Sequence, residues 1–383
     1  MKQNKIAIFH HFLLSHCKGG GEKLMLQLRE HLGADFWCGA IDLDGWDPSK
    51  CTDSFTEDLG KANWHYLHEE SQVKGWKYIK RQIAYLLSPQ IRDLAQNDIV
   101  IFSFGNIAFV PQRVKKINPY IKTIAYVHTP PRIFTDQYDS TYNNLKWYAK
   151  PFFSLFTKLV LWNFNNALES CDVIIANSEN IKSRLLKYCK IDANKVIFPL
   201  VETEKFYNKP SKNFYLSHAR LEPLKRIDII VKAFEQMPEQ KLVITSGGPM
   251  TGWVKEYILN NNITNIEFKG RVSDAERDEL MATCTAGIYI PIDEDAGITQ
   301  LEFMACGKPV IGVKDGGLIE SIIDGKTGIL MSKNVTQQEI ISTIRSLEPK
   351  NLEDMKQACI NQSKLFDKTI FFNKFDEIIN EYS

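Results

Sequence analysis

The chain has 383 residues, of which 44% are hydrophobic, and a formal net charge of +1, so its length predicts two or three domains with large cores. Its charge is uneven: residues 1–200 hold 25 Lys and Arg against 19 Asp and Glu, and the remainder holds 22 against 27. A basic first half predicts an anionic partner. No dense Lys/Arg cluster or nucleic-acid-binding motif occurs, which disfavours nucleic acid and favours anionic lipid head groups or a lipid-linked pyrophosphate.

The first half alternates apolar runs typical of buried strands with helix-like stretches. Its predicted strands are 5–11, 34–40, 99–103, 123–128 and 173–176, and its predicted helices are 21–32, 78–87, 147–168 and 178–190. Residues 195–212 lose this periodicity, which indicates an interdomain linker at 201–212.

The pattern resumes after the linker and ends in a final helical pair. Its strands are predicted at 215–216, 241–246, 266–269, 286–290 and 310–313, and its helices at 226–236, 253–260, 275–282 and 299–305. Short apolar strands that alternate with helices predict parallel sheets. We therefore expect an α/β chain of two doubly wound, Rossmann-like domains, 1–200 and 213–365, followed by a C-terminal helix at 366–383.

A glycine-rich segment, Lys18-Gly19-Gly20-Gly21-Glu22-Lys23, follows the first strand and opens the first helix. It lacks the G-x-G-x-x-G spacing of a dinucleotide site. Three glycines let a substrate approach the backbone closely, and a helix N-terminus favours anions. The alternative is a flexible turn that needs positive φ, and this segment alone leaves both interpretations open.

His128 ends a predicted strand and begins the run His-Thr-Pro-Pro-Arg. The two prolines predict an extended loop at the carboxyl edge of the sheet, where α/β proteins form ligand sites. A histidine at a strand end is otherwise simply packed and hydrogen-bonded. Arg132, which closes the run, either contacts an acceptor phosphate or sugar, or is solvated.

Arg220 and Lys225 follow the first strand of the second half. Two cations at a strand end suit a leaving diphosphate, because charge grows on its bridging oxygen as the bond to the sugar breaks. Arginine offers a planar fork for phosphate, and lysine offers a mobile point charge. The alternative is a pair of ordinary surface charges.

The stretch from Asp293 to Gly317 carries two acids, Glu294 and Glu302, with seven residues between them. Its loop of small residues leads into a helix N-terminus, whose backbone N–H groups suit a phosphate. Glu302 lies in an apolar helical run, where a carboxylate needs a partner such as ribose hydroxyl groups. In isolation, the acidic triplet at 293–295 is also typical of a divalent-metal or solvated loop.

Together these segments resemble the retaining nucleotide-sugar glycosyltransferases of glycosyltransferase family 4. The family signatures are an E-x7-E motif, an Arg/Lys pair after the first strand of the C-terminal domain, and the run LEAMACGKPVI, which reads LEFMACGKPVI here. The family has a similar GG-x-E at the glycine-rich segment, and HTPPR resembles a stretch of bacterial mannosyl- and rhamnosyl-type transferases. The chain departs from the family at Ala296-Gly297, where Phe-Gly is typical, which leaves the first acid at Glu294 or Asp293.

The resemblance implies the GT-B architecture, in which two domains face a cleft, the first holds the acceptor, the second holds most of the donor, and the last helix crosses back to the first domain. It implies catalytic roles for His128, Arg220, Lys225 and Glu294. The implied donor-binding residues are Gly20, Gly21, Arg220, Lys225, Gly270, Arg271, Val272, Glu294, Ala296, Gly297, Ile298, Thr299 and Glu302. The implied acceptor-binding residues are His11, Lys18 and Arg132, and no metal site is implied.

The resemblance also sets the expected reaction, which is transfer of a hexose to a hydroxyl group of a glycan or polyprenyl-linked acceptor in surface polysaccharide synthesis, such as O-antigen synthesis. GDP-mannose is the favoured donor, and no cofactor is expected beyond this co-substrate. No side chain is a convincing glycosyl nucleophile, so we expect a metal-independent front-side displacement. The alternatives are a nucleotide-sugar 2-epimerase of related fold and a non-catalytic nucleotide-sugar-binding protein.

Cysteine usage and hydropathy bear on location. Eight scattered cysteines without a C-x-x-C pair are typical of a reduced compartment, and the N-terminus lacks the apolar region of a signal peptide. The longest apolar stretch, 151–164, is shorter than the ~20 residues that span a bilayer. We expect a cytoplasmic protein. Two basic, aromatic-rich stretches, 74–92 and 147–164, either contact the anionic inner face of the membrane peripherally or pack in the first domain's core.

Overall fold

The computed structural model describes residues 4–14, 20–42, 64–69, 83–105 and 109–382. The chain divides into two compact units, one of Met1–Phe198 with Phe372–Ser383 and one of Pro199–Phe371. Each unit contains one parallel sheet surrounded by helices. The expected α/β architecture of two doubly wound, Rossmann-like domains is therefore confirmed.

In the first unit, the described residues form a seven-stranded sheet in the order β3-β2-β1-β4-β5-β6-β7. Its strands are β1 (Ile6–Leu14), β2 (Asp35–Asp42), β3 (Trp64–Glu69), β4 (Ile99–Phe104), β5 (Lys122–Val127), β6 (Val173–Ala176) and β7 (Lys195–Val196). Its helices include α1 (Gly20–Leu32), α2 (Ile91–Leu94), α3 (Val110–Ile117), α4 (Tyr138–Asn144), α5 (Lys150–Glu169) and α6 (Glu179–Arg184). Strands β4 and β6 are buried at every position because helices cover both faces of a doubly wound sheet.

The second unit repeats this plan with six strands in the order β10-β9-β8-β11-β12-β13. Its strands are β8 (Tyr215–His218), β9 (Leu242–Thr245), β10 (Ile266–Gly270), β11 (Ala286–Ile288), β12 (Val310–Val313) and β13 (Gly328–Met331). The helices that follow along the chain are α7 (Ile227–Glu235), α8 (Thr251–Asn260), α9 (Asp274–Thr283), α10 (Thr299–Ala305), α11 (Leu318–Ser321), α12 (Gln337–Ser346), α13 (Pro349–Asp354), α14 (Lys356–Lys364) and α15 (Lys368–Asn380).

The strand order of each sheet reverses beside its first strand. In the first unit β1 lies between β2 and β4, and in the second unit β8 lies between β9 and β11. Open α/β sheets bind ligands outside the carboxyl ends of the strands at such a reversal. The loops that follow β1, β4, β8 and β11 are therefore the places where the fold favours a site.

The C-terminal helix α15 begins in the second unit, and its residues from 372 onward belong to the first. Within the first unit, Asp376 of this helix accepts a hydrogen bond from His31 Nε2 at 2.9 Å. The residues predicted as the linker, 201–212, lie in the second unit.

The sequence pattern misses three strands, β3, β7 and β13, and all three lie at sheet edges. Polar residues interrupt the apolar run in the sequence WHYLHE of β3, as an edge strand tolerates. Strand β7 has only two residues, and β13 is a short apolar run, GILM, that was not predicted. The predicted helix 178–190 is instead α6 followed by a π-helical turn at Leu185–Cys189. The predicted final helical pair is wrong, because four helices, α12 to α15, close the chain. Of the predicted helix 78–87, the structure describes 83–87, which is helical.

The cysteines that the structure describes are all buried free thiols, at Cys38, Cys171, Cys189, Cys284, Cys306 and Cys359. Burial raises the pKa of the Cys359 thiol to about 12. Among the described helices, none combines the length and apolar character needed to cross a bilayer.

Candidate functional site

In the second unit, Lys225 and Glu294 meet at the strand-order reversal. Lys225 follows β8, and its Nζ contacts the Glu294 carboxylate and donates to the Tyr289 hydroxyl group at 2.9 Å. The Lys225 and Glu294 side chains are only 19% and 16% exposed. Burial raises the pKa of the Tyr289 hydroxyl group well above its usual value, and the charge of Glu294 is the next largest cause. The structure thus brings together two predicted site residues, Lys225 and Glu294, and adds Tyr289, which was not predicted.

A tight turn holds the Glu294 loop in place. The Gly317 N–H donates to the Glu294 carbonyl at 2.7 Å, and the Asp293 N–H donates to Asp315 Oδ2 at 2.8 Å. A Cβ atom at Gly317 would lie 2.7 Å from Ala296 Cα, so the two backbones touch here. Of the two acids that the motif register left open, Glu294 is the one that contacts Lys225.

The loop at 296–299 leads directly into α10. Gln300 is fully buried, and its Nε2 donates to the carbonyls of Ala296 at 2.9 Å and Gly297 at 3.1 Å and to Ser321 Oγ at 3.0 Å. This amide fixes the loop from inside, so Ile298 and Thr299 enter α10 in a defined orientation. Gln300 was not predicted as part of the site, because a glutamine inside the E-x7-E spacing carries no signal of its own.

Glu302 lies half-buried on α10 and interacts with Arg277 of α9. Burial alone would lower the pKa of Arg277, but the carboxylates of Glu302, Asp278 and Asp274 raise it. Nearby, His218 Nδ1 is 2.8 Å from Thr245 Oγ1, and burial, with Arg277, lowers the pKa of His218 to about 4. Glu302 therefore belongs to a polar cluster at the carboxyl ends of β8 and β9.

Arg220 and Arg271 lie on the loops after β8 and β10, and both loops contact Gly247 in the loop after β9. The N–H of Leu221, next to Arg220, donates to the Gly247 carbonyl at 3.0 Å. The Arg271 side chain lies against Gly247. Gly270 ends β10, and Arg271 and Val272 follow it in the next loop. Arg220 is 66% exposed, with its Nε 3.0 Å from Glu222 Oε1. Its guanidinium is thus accessible to an anion in solution.

In the first unit, a chain of polar side chains crosses three neighbouring strands. His128 Nε2 lies 2.9 Å from Ser103 Oγ, which lies 2.7 Å from His10 Nδ1. His10 Nε2 is in turn 3.9 Å from Glu22 Oε1 on α1. A hydroxyl group carries one proton, so Ser103 donates to one imidazole and accepts from the other. His10 and Ser103 were not predicted as site residues, because the pairing of β1 with β4 brings His10 beside Ser103 and the pairing of β4 with β5 brings Ser103 beside His128.

His11 and the glycine-rich segment lie beside this chain. The His10 and His11 rings are 4.7 Å apart, and a Cβ atom at Gly21 would lie 3.3 Å from His128 Cε1. Gly20, next to Gly21, is the first residue of α1. Lys18 lies outside the described residues. Burial, and then His11, lower the pKa of His128 to about 4, so the His128 imidazole is neutral at pH 7.

Arg132 takes part in a buried charge cluster. Its Nη2 is 2.8 Å from Asp136 Oδ2, and Arg184 Nη2 is 2.7 Å from Asp136 Oδ1. Burial alone would raise the pKa of Asp136, but the two guanidinium groups, Arg184 before Arg132, lower it. Arg132 is thus anchored at 20% exposure and is not simply solvated. Over the described part of the chain, no group of three His, Cys, Asp or Glu side chains is arranged to hold a metal ion.

Solved structures share the fold of the whole chain. Anabaena HepE, solved with UDP and glucose, superimposes with a TM-score of 0.73 at 18% identity, covering 98% of this chain and all of that one. Sucrose-phosphate synthase from Thermosynechococcus elongatus has a TM-score of 0.78 at 15% identity, with 98% of both chains covered.

Sequence relatives and family models cover much of the chain. An uncharacterized glycosyltransferase of Methanocaldococcus jannaschii is 31% identical over 55% of this chain and 59% of its own. The alpha-1,3/1,6-mannosyltransferase ALG2 of Dictyostelium discoideum is 26% identical over 52% and 58%. This chain thus spans somewhat over half the length of these relatives. The model "Glycosyltransferase Family 4" matches residues 18–205, and "Glycosyl transferases group 1" matches residues 202–366. Residues 18–205 and 202–366 are therefore similar to these two glycosyltransferase families, and the two matches together extend over most of the chain.

Proposed function

We propose that this protein is a retaining glycosyltransferase that moves a hexose from a nucleoside-diphosphate sugar to a hydroxyl group of a glycan or polyprenyl-linked acceptor. The observation that carries the proposal is the contact of Lys225 with Glu294 at the strand-order reversal of the second unit. The two family models support the class of enzyme. HepE structures with UDP and UDP-glucose support a nucleotide-sugar as donor.

In the proposed donor complex, Lys225 and Arg220 hold the diphosphate. Lys225 contributes a half-buried ammonium group, and Arg220 an accessible guanidinium group. Charged groups in a partly desolvated site stabilise developing negative charge more than they would in water. Glu302 accepts hydrogen bonds from the ribose hydroxyl groups. The amides at 297–299 add donors to the diphosphate, and the loop at 270–272 borders the nucleobase.

The proposed reaction is a front-side displacement. The bond between the anomeric carbon and the diphosphate oxygen breaks, and the acceptor oxygen bonds to the same face of that carbon. The departing diphosphate oxygen takes the acceptor proton, so the step needs neither a protein nucleophile nor a metal ion. His128, which is neutral at pH 7, positions the sugar through hydrogen bonds, and His11, Lys18 and Arg132 contribute to acceptor binding.

Mannose is the favoured sugar. The HTPPR run at 128–132 and the relation to the ALG2 mannosyltransferase both favour GDP-mannose. The UDP-glucose in HepE makes UDP-glucose the next donor to test.

A thermal-shift screen with GDP-mannose, GDP, UDP-glucose and UDP tests donor binding. A ligand that binds the native state raises the apparent melting temperature as its concentration increases. We expect the largest rise with GDP-mannose. Glu302→Ala should abolish most of that rise while leaving the ligand-free melting temperature near that of the wild type. Glu256→Ala, an exposed carboxylate on α8, is the matched control and should behave as the wild type. No shift with any nucleotide would contradict the proposal.

A further inference from the structure

Helix α5 is apolar on two opposite faces. One face is packed within the first unit, against α3 and with Phe164 in contact with Phe104 of β4. It carries the buried residues of the helix, which are Thr157, Val160, Phe164, Ala167 and Leu168. The other face exposes Phe152 (75%), Leu155 (60%), Leu159 (55%) and Trp162 (60%). These four residues are spaced by three, four and three positions, so they form one continuous stripe about 15 Å long. We name this stripe the exposed apolar face.

A surface helix normally turns polar residues towards water. The exposed apolar face reverses this pattern, and it continues into the preceding turn, where Trp147 is 82% exposed. Large contiguous apolar patches on a protein surface mark sites that bind another apolar surface. Because the opposite face of α5 is already packed within the first unit, the exposed apolar face is left for a second apolar partner.

Positive charge borders the exposed apolar face. Residues 140–168 contain three lysines, Lys146, Lys150 and Lys158, and no Asp or Glu, and this segment is flanked by Asp139 and by Glu169, the last residue of α5. Lys158 and Lys146 are exposed, while Lys150 Nζ lies 4.9 Å from the Tyr142 ring centroid. The charge therefore complements an anionic surface.

We propose that the exposed apolar face docks into a lipid surface with anionic headgroups. Trp147 and Trp162 lie near the two ends of the stripe, and tryptophan is enriched at the level of the headgroups. A helix of this kind lies in the interface plane and buries its apolar side ~5–10 Å deep, while bordering lysines contact lipid phosphates. This inference does not depend on the proposed reaction.

A second copy of the chain fits this face less well. In a two-fold dimer each copy presents the same surface. The three lysines of one copy would then face those of the other with little negative charge between them, because the flanking acids, Asp139 and Glu169, lie at the two ends of the segment. Lipid phosphates supply that negative charge.

Vesicle flotation tests the proposal. The wild-type protein should bind vesicles of phosphatidylcholine mixed with phosphatidylglycerol, bind weakly to phosphatidylcholine alone, and lose affinity as salt screens the lysines. The double variant Leu155→Glu/Leu159→Glu should bind at least about tenfold more weakly, because two apolar side chains leave the lipid and two negative charges oppose it. Both side chains are more than half exposed, so the fold should persist, which circular dichroism checks.

Leu259→Glu is the matched control, since Leu259 is 75% exposed and lies on α8 of the other unit. It should bind vesicles as the wild type does. Equal vesicle binding by the double variant and the wild type would overturn the proposal, as would a wild-type protein that binds neither vesicle. A concentration-dependent dimer that the double variant alone separates would assign the face to a second copy instead.

Discussion

At the residue scale, polar side chains of each unit are held by contacts with other polar groups. Lys225 binds both Glu294 and Tyr289, and His128 is linked through Ser103 to His10. These contacts fix the orientation of groups that would otherwise rotate. A preorganised charge or hydrogen-bond donor costs no reorganisation during the reaction, so substitutions here should affect turnover more than folding.

Lys225→Ala and Arg220→Ala should each reduce turnover more than donor affinity, because these cations act on charge that develops as the diphosphate leaves. We expect a loss of ~10²–10³-fold, by analogy with the loss of one oxyanion-hole donor. Steady-state kinetics at saturating donor measures it. Lys241→Ala removes a lysine that pairs with Glu267 at 3.0 Å and lies before β9, so turnover should stay at the wild-type value. Wild-type turnover in Lys225→Ala would show that the diphosphate is held elsewhere.

Ser103→Ala should keep the fold and reduce kcat by about tenfold, which corresponds to ~1.4 kcal/mol of activation free energy. The Ser103 side chain is fully buried, and its removal deletes the hydrogen bond that orients His128. Ser103→Thr retains the hydroxyl group and should recover much of the loss. A purely structural role for Ser103 predicts a lower melting temperature with unchanged kcat, and that result would rule out positioning of His128.

At the element scale, buried apolar elements are predicted well, whereas three of the four edge strands of the described sheets are not. Helix α10 and strand β12 lie where the apolar pattern places them. Strand β3 was missed because one side of an edge strand lacks a neighbour and tolerates polar residues, and β7 and β13 were missed because they have only two and four residues. Lys225 and Glu294 could be predicted from motifs. Ser103, His10 and Tyr289 could not, because their place in the structure depends on which strands lie side by side.

The turn before α11 gives an element-scale prediction. Gly317→Ala should destabilise the protein by ~1–3 kcal/mol and reduce activity, because the new Cβ would push the backbone of 295–296 away and shift Glu294. Gly252→Ala is the control: nothing lies within 4 Å of that position on α8. It should keep the stability within about 0.5 kcal/mol of the wild-type value, since an exposed substitution away from packed groups changes it little. Denaturant unfolding measures both values, and equal stability of the two variants would refute the turn's role.

At the scale of the whole molecule, the same sheet plan appears twice. Each unit reverses its strand order beside its first strand, and each carries a histidine near that reversal whose pKa is lowered to about 4, His128 in the first and His218 in the second. The alternation of short apolar strands with helices along the sequence predicted this plan. The histidine environments could not be predicted, because they depend on burial by residues distant along the chain.

These two histidines predict the pH dependence of stability. Each has a folded pKa of about 4 against an ordinary value of 6.5, so between these values the unfolded state binds more protons than the folded state. The free energy of unfolding should therefore fall as the pH falls from about 6.5 to about 4 and should level off outside that window with respect to these groups. Urea unfolding at intervals across this range measures the trend. The variant His128→Gln/His218→Gln should show a shallower slope, and an unchanged slope would disprove the assignment.

The anomeric configuration of the product, determined by NMR after transfer in excess EDTA, tests the central claim most directly. Arg220 and Lys225 are proposed to neutralise the diphosphate, so transfer should persist without divalent ions. Front-side displacement places the acceptor on the face that the diphosphate leaves, so the new linkage should keep the donor's configuration. An inverted linkage, or a strict requirement for Mg²⁺ or Mn²⁺, would contradict this account.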